Sequence, residues 1–282
     1  MSKLFKRVSS LPVTLYAFIL ILLPIVYILF LSFLKSDSYG GYEFTFTLQN
    51  YIKLFDSVYV KVFLQSFLIA LITTVICIVI SYPFCLFVNE KPKRIQTILM
   101  ALVILPFLTN SLIRTYGWIV LLRKEGVINT LLLNSNLISH PLSLMYNNLG
   151  IIVGMVYTLL PFMILPLYSS ISKIDPRYIE AAKDLGASRF TIFFKIIVPL
   201  TLSGLFNGAL MVFIPCIGYF FISDLLGGGK LMLLGNLIKN QFLTARDWPF
   251  GAAISIVLLI ITFLLVKAYR KTGGNMDDLG GL

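Results

Sequence analysis

The sequence predicts an all-α membrane protein of six transmembrane helices. Of its 282 residues, 58% are hydrophobic and 12% charged, a balance foreign to soluble domains. The apolar residues gather in six runs, roughly 12–34, 62–88, 95–122, 149–171, 200–222 and 251–266. Most approach or exceed the roughly 20 residues that a helix needs to cross a bilayer. Basic residues cluster between alternate runs, the pattern of a chain threaded back and forth. The whole chain, 1–282, reads as one transmembrane domain, with residues 173–199 as a charged loop inside it.

The first run is too long for a removable signal peptide and lacks a small-residue cleavage site, so it should remain as a spanning helix. The outer segment that follows has a turn signal at Gly40-Gly41, then a short surface helix capped near Thr47. Residues 89–94, with Pro92, make a tight inner connection. Pro106 interrupts the third run, and Pro161 and Pro166 the fourth, so kinks are expected in both. Carbonyls freed at such places need partners, which suits helices that line a pathway or pack on neighbours. Residues 123–148 form an outer loop with scattered Asn and Ser, and Gly227-Gly228-Gly229 marks a flexible outer turn. Phe190, Phe193, Phe194 and Ile197 recur at helical spacing, an amphipathic ramp into the fifth run. Residues 246–251, Arg-Asp-Trp-Pro-Phe-Gly, have the look of an interface anchor, because Trp248 suits headgroup depth. Arg246 and Asp247 are adjacent and are not read as an ion pair.

The formal net charge of +11 raises the question of nucleic acid, and the placement of the charge answers it. Fourteen of the 23 basic residues (Lys3, Lys6, Arg7; Lys91, Lys93, Arg94; Lys173, Arg177, Lys183, Arg189, Lys195; Lys267, Arg270, Lys271) fall on one side of six alternating helices. Eight (Lys35, Lys53, Lys61, Arg123, Lys124, Lys230, Lys239 and Arg246) fall on the other, and Arg114 lies inside the third run. Acidic residues divide six and six. The asymmetry puts both termini and the 173–199 loop in the cytoplasm. The basic charge is a topology signal, and no nucleic-acid partner is expected. Cys77, Cys85 and Cys216 sit in apolar runs without metal-ligand spacing and read as small hydrophobes. His140, the only histidine, cannot build a metal site or a dyad alone.

The most informative stretch is 174–204, a charged helix-forming insert between apolar spans. Asp175 suits a helix N-cap, Pro176 the first turn, and Gly186 the position just past the end. Tyr178, Ala181, Ala182 and Leu185 form one apolar stripe, with Arg177, Glu180 and Asp184 on the other side. Glu180 and Asp184 are like charges one turn apart, which costs an isolated helix about 0.2–0.5 kcal/mol. Local helix stability therefore does not account for them.

Inside the spans, only Arg114 is clearly ionisable, and a charge at the bilayer centre costs about 2.5–3.5 kcal/mol on insertion scales. Asn110 lies four residues before it and Trp118 four after, so one helix face is polar and aromatic. Two readings stand: a pathway or inter-subunit role, or a structural arginine that snorkels or bonds carbonyls freed by Pro106. Asp224, at the outer end of the fifth run after Tyr219, either helps to receive a cation or is a solvated loop carboxylate. No paired midplane carboxylates, His-Glu-x-x-His or nucleophile elbow supports an intramembrane enzyme, and a proton- or sodium-coupled carrier would show buried acids that these spans lack. There is also no G-x-x-x-x-G-K-[ST] stretch, so if ATP drives this chain another subunit binds it.

Glu180-Ala181-Ala182, Gly186, Ile196 and Pro199 fall in the register of the EAA loop of ABC-importer permeases, with Val198 where Leu is usual. Residues 106–118 (Pro-Phe-Leu-Thr-Asn-Ser-Leu-Ile-Arg-Thr-Tyr-Gly-Trp), 159–171, 180–188, 223–230 and 246–253 together resemble the B-type permease subunit of spermidine/putrescine ABC importers. The resemblance covers roughly residues 48–266. It implies a type I ABC importer permease fold in a bacterial plasma membrane. It also implies a C-type permease beside this chain, two ATPase subunits below, and an external polyamine-binding protein. On that resemblance Glu180, Ala181, Ala182, Asp184 and Gly186 couple to the ATPase, and ATP with Mg²⁺ is bound there rather than here. A polyamine path would draw on Asp224, Tyr219, Tyr116, Trp118, Asn110 and Arg114. A permease for another small solute, or a secondary transporter, is the alternative.

Overall fold

The structure, a computed structural model, describes the backbone of residues 3–229 and 231–271 and the side chains of 16, 18–229 and 231–269. Lys230 and residues 272–282 lie outside the described residues, as do the side chains of five basic residues counted in the charge asymmetry, Lys3, Lys6, Arg7, Arg270 and Lys271. Helices dominate, at the places that the apolar runs mark. Among the described residues, three run unbroken and are long and apolar enough to cross a membrane: α3 (Ser57–Asn89), α7 (Asn148–Ile171) and α14, apolar over Trp248–Tyr269 and helical to Lys271. Ahead of them α1 spans Lys3–Ser32.

The third run is broken rather than merely kinked, and the fifth is entered through a second sharp bend. In the third, α4 (Lys93–Ile104) passes into a tight 3₁₀ turn at Leu105–Leu108, and α5 (Ser111–Leu122) leaves with α6 (Val127–Asn134) at 96° to it. The cause is local. Pro106 lacks the N–H that would continue the helix, Thr109 is extended, and Asn110 caps α5 by accepting the Leu112 N–H at 2.8 Å. Twelve residues rise only about 18 Å against a hydrocarbon core of about 30 Å, so α4 and α5 each cover part of a bilayer. At the start of the fifth, the ramp Arg189–Leu200 meets α11 (Leu202–Gly218) at 72°. By contrast α7 is continuous through Pro161 and Pro166.

Backbone contacts divide the chain into two units, Met1–Lys61 with Leu237–Thr262, and Val62–Asn236 with Phe263–Leu282. In the first, α1 is followed by a hairpin that the sequence reading missed, β1 (Leu34–Ser36) against β2 (Tyr42–Phe46), turning at Gly40-Gly41. The short helix α2 (Gln49–Lys53) follows; Leu48 stands at its N-cap without a side-chain cap bond, and Thr47 Oγ, one residue earlier, accepts the Gln49 N–H at 3.2 Å. The start of α14 is fastened in the same unit. Asp247 caps it by accepting the Phe250 N–H at 3.1 Å, receives Lys53 Nζ at 3.1 Å and is hydrogen-bonded by the Ser36 hydroxyl. The ion pair of this segment is thus with Lys53, across the unit, and the Trp248 indole donates to the Phe242 carbonyl at 3.2 Å.

The second unit is built around α7. Ile151, Met155, Leu159, Met163, Leu167 and Ile171, four residues apart, form a fully buried ridge. Opposite, α11 presents Gly204, Gly208, Val212 and Cys216, also four apart and buried. A Cβ on Gly208 would lie 2.7 Å from Met163 Sδ, and one on Gly204 2.6 Å from the Pro166 carbonyl, so only glycine lets the two backbones approach this closely. Beyond Tyr219, α12 (Phe220–Gly227) packs on the N-terminal half of α7, Leu226 and Ile222 filling the space beside Gly154.

Candidate functional site

The expected loop helix is α8 (Pro176–Asp184). Asp175 caps it by accepting the Arg177 N–H at 3.0 Å, and Pro176 takes the first position. The helix stops because Gly186 turns left-handed, φ +77°. There the Ala187 N–H returns to the Ala182 carbonyl at 3.0 Å and the Gly186 N–H to Lys183 at 2.9 Å, the double bond of a Schellman end.

The apolar stripe of α8 divides. Ala182 is buried and Ile179 half-buried, while Tyr178 is 59% and Leu185 88% exposed, and Ala181 is exposed too. Ala182 packs into a cluster with Tyr82 and Cys85 of α3 and Ile164, Leu167 and Ile171 of α7, joined by Ile192 and Ile197 beyond the loop. Glu180 and Asp184 are exposed, and neither forms a salt bridge among the described residues. One face of α8 is therefore bolted to the C-terminal ends of α3 and α7, and the other offers two carboxylates and two large apolar side chains to solvent.

Beyond Gly186 the ramp is short and bent. α9 (Arg189–Ile192), capped by Ser188 through the Thr191 N–H, widens into a π turn over Phe193–Ile197. Pro199 crowds the carbonyl four residues back, a cause of such widening. A last turn, α10 (Val198–Leu200), ends at Thr201, which is fully buried. Its hydroxyl bonds the Ile197 carbonyl at 2.7 Å and lies 2.9 Å from the Tyr82 hydroxyl, so the bend into α11 is pinned to α3. Nearby, Gln96 closes the α3–α4 turn on the Asn89 and Lys91 carbonyls and accepts the Tyr168 hydroxyl of α7 at 2.7 Å.

The residues named for a substrate path do not form one group. Arg114 lies 5.9 Å from the ring centres of both Phe107 and Tyr157. Trp118 stacks edgewise on Tyr157 at 5.3 Å, and Tyr219 lies within electrostatic reach of Arg114. Tyr116 is 56% exposed on another face of α5, and the Asn110 side chain is occupied as a cap. Asp224 accepts the Asn236 side-chain amide at 2.6 Å in a polar knot that also takes in the Phe220 carbonyl. That knot fastens α12 to the start of α13 (Leu234–Leu243). Phe107 and Tyr157 carry no sequence signal, since they meet Arg114 only across helices. The close approach of α7 and α11 did have one, the Gly204-x-x-x-Gly208 spacing in an apolar run.

The three cysteines are free and buried, and no group of three or more metal-ligating side chains occurs among the described residues. His140 is exposed at an open depression in the 136–142 loop.

The described chain is thus a set of long apolar helices with a capped, half-exposed helix packed on the ends of two of them. Residues 81–270 match the family described as the binding-protein-dependent transport system inner membrane component, and the chain belongs to it. It is 43% identical to the spermidine/putrescine transport system permease protein PotB of Haemophilus influenzae, over 95% of this chain and 93% of that one. To its namesake in Escherichia coli K12 it is 46% identical over 89% and 91%. Among solved structures, a chain of a bacterial alginate ABC transporter, in complex with a periplasmic protein bound to an alginate pentasaccharide, superposes with a TM-score of 0.74. That likeness covers 94% of this chain and 92% of the other at 15% identity, and it shows the fold.

Proposed function

We propose that this chain is the membrane-spanning permease subunit of an ATP-driven importer that carries spermidine and putrescine into the cytoplasm. The observation that carries the reading is identity of 43–46% over about nine-tenths of the chain with permeases named for those two polyamines. The chain itself is non-catalytic in this reading. A pair of separate ATPase subunits binds ATP and Mg²⁺, a C-type permease stands beside this one, and an extracytoplasmic binding protein delivers the polyamine. Both termini lie in the cytoplasm of a bacterium.

Coupling runs through α8. Glu180, Asp184, Tyr178 and Leu185 make a mixed acidic and apolar face fit for a groove on the ATPase, a common mode of helix recognition. Ala182 and Gly186 fix that face in place from behind. Motion of the ATPase pair passes through the cluster under Ala182 and the Thr201 bend into α3, α7 and α11.

The test is to purify the tagged chain from its host with whatever it retains. Expected are a second permease, an ATPase, and ATP hydrolysis that rises when a polyamine-loaded binding protein is added. Retention of no ATPase, or stimulation by an unrelated solute and by neither polyamine, would overturn the reading.

A further inference from the structure

Arg114 is held in an unusual way for an arginine inside an apolar span. Such a charge is ordinarily paired with a carboxylate or with several carbonyls. Among the described residues no carboxylate forms a salt bridge with it, and its Nε is buried without a hydrogen-bond partner. What lies around the guanidinium is aromatic. Phe107 comes from the turn that breaks the third span and Tyr157 from α7, each 5.9 Å from it. Those two rings are set by neighbours. Phe162 meets Phe107 edgewise at 5.0 Å, and Trp118 meets Tyr157 edgewise at 5.3 Å.

Two ring faces turned on a poorly bonded cation make a receptor for cations in general, because the attraction is to the ring quadrupole and does not read the hydrogen-bond pattern of a guanidinium. An ammonium group satisfies such faces as well. The transported molecule, on the reading proposed above, is a chain of ammonium groups, and this inference rests on that reading.

We propose that the Phe107–Tyr157 ring pair is a subsite for one ammonium group of the polyamine, occupied by Arg114 when substrate is absent. Two cations cannot share the faces, so substrate enters as the arginine leaves, and the return of Arg114 expels it. A structural arginine would instead be satisfied through its hydrogen bonds, with the rings as bystanders.

The experiment measures equilibrium binding of radiolabelled spermidine to the assembled transporter complex without ATP. Arg114→Gln removes the resident cation and keeps a polar side chain, so spermidine should bind about tenfold more tightly. Arg114→Lys keeps a cation and should bind as wild type does. Adding Phe107→Leu and Tyr157→Leu to Arg114→Gln should abolish the gain. Equal or weaker binding by an assembled Arg114→Gln complex overturns the proposal. Should that variant fail to assemble, the wild-type complex still decides. Saturating spermidine should alter the emission of Trp118, seen as the difference from a Trp118→Phe complex, and no difference overturns the subsite. A wild-type complex that binds neither polyamine overturns the functional reading together with the subsite, whereas normal wild-type binding with an unresponsive Arg114→Gln overturns the subsite alone.

Discussion

Gly186 ends α8 for a reason of backbone rather than of space. Its φ is +77°, yet a Cβ built there meets nothing within 4 Å. An L side chain in this conformation costs roughly 1–2 kcal/mol, least for Asn, which tolerates the left-handed region. Gly186→Asn should therefore keep most of the substrate-stimulated ATP hydrolysis of the complex, and Gly186→Val should lose it several-fold through misplacement of Leu185 and Asp184. The assay compares stimulated hydrolysis at equal assembly. Equal activity of the two variants would mean that the turn does not set the docking face. The end signals of this helix were legible in the sequence because capping is local chemistry, carried by Asp175, Pro176 and Gly186 within twelve residues. The surroundings of Arg114 were not, because Tyr157 lies 43 positions away and nothing in its own neighbourhood points back.

Among elements, the pairing of α7 with α11 rests on Gly204 and Gly208. Gly208→Ala puts a methyl group 2.7 Å from Met163 Sδ and 3.1 Å from the Met163 carbonyl, an overpacking worth about 1–3 kcal/mol. Gly117→Ala, on a helix position with nothing within 4 Å, should be neutral or gain up to about 1 kcal/mol of helix propensity. Thermal unfolding of the solubilised complex should fall for the first and hold or rise for the second. Equal melting would mean that the helices part easily. At this scale the sequence indicates where apolar helices lie and that Pro106 disturbs one. It does not convey that the disturbance is a 96° turn, since that angle depends on the extended Thr109 and the cap at Asn110 acting together. The β1–β2 hairpin escaped because Tyr42, Phe44 and Phe46 alternate for too few residues beside a long apolar run.

For the whole molecule, the charge asymmetry implies an outer 123–148 loop and an inner α8. In cells carrying otherwise cysteine-less chain, a membrane-impermeant thiol reagent should label Asn136→Cys from outside and spare Asp184→Cys until the membrane is opened. Labelling of position 184 in intact cells would reverse the topology. Fold and class were readable at this scale because spans, charge bias and the EAA register are long or repeated signals, whereas a substrate path is a matter of a few side chains brought together across helices.

The account's central claim is that α8 couples a separate ATPase to polyamine movement through these spans. The most direct measurement is uptake of radiolabelled spermidine into proteoliposomes holding the complete complex, with binding protein outside and ATP inside, for wild type and Glu180→Lys at matched assembly. The account predicts ATP-dependent uptake by wild type and at least a tenfold fall for the variant, whose reversed charge lies on the docking face. Uptake that proceeds without ATP, or that is undiminished in Glu180→Lys, would contradict it.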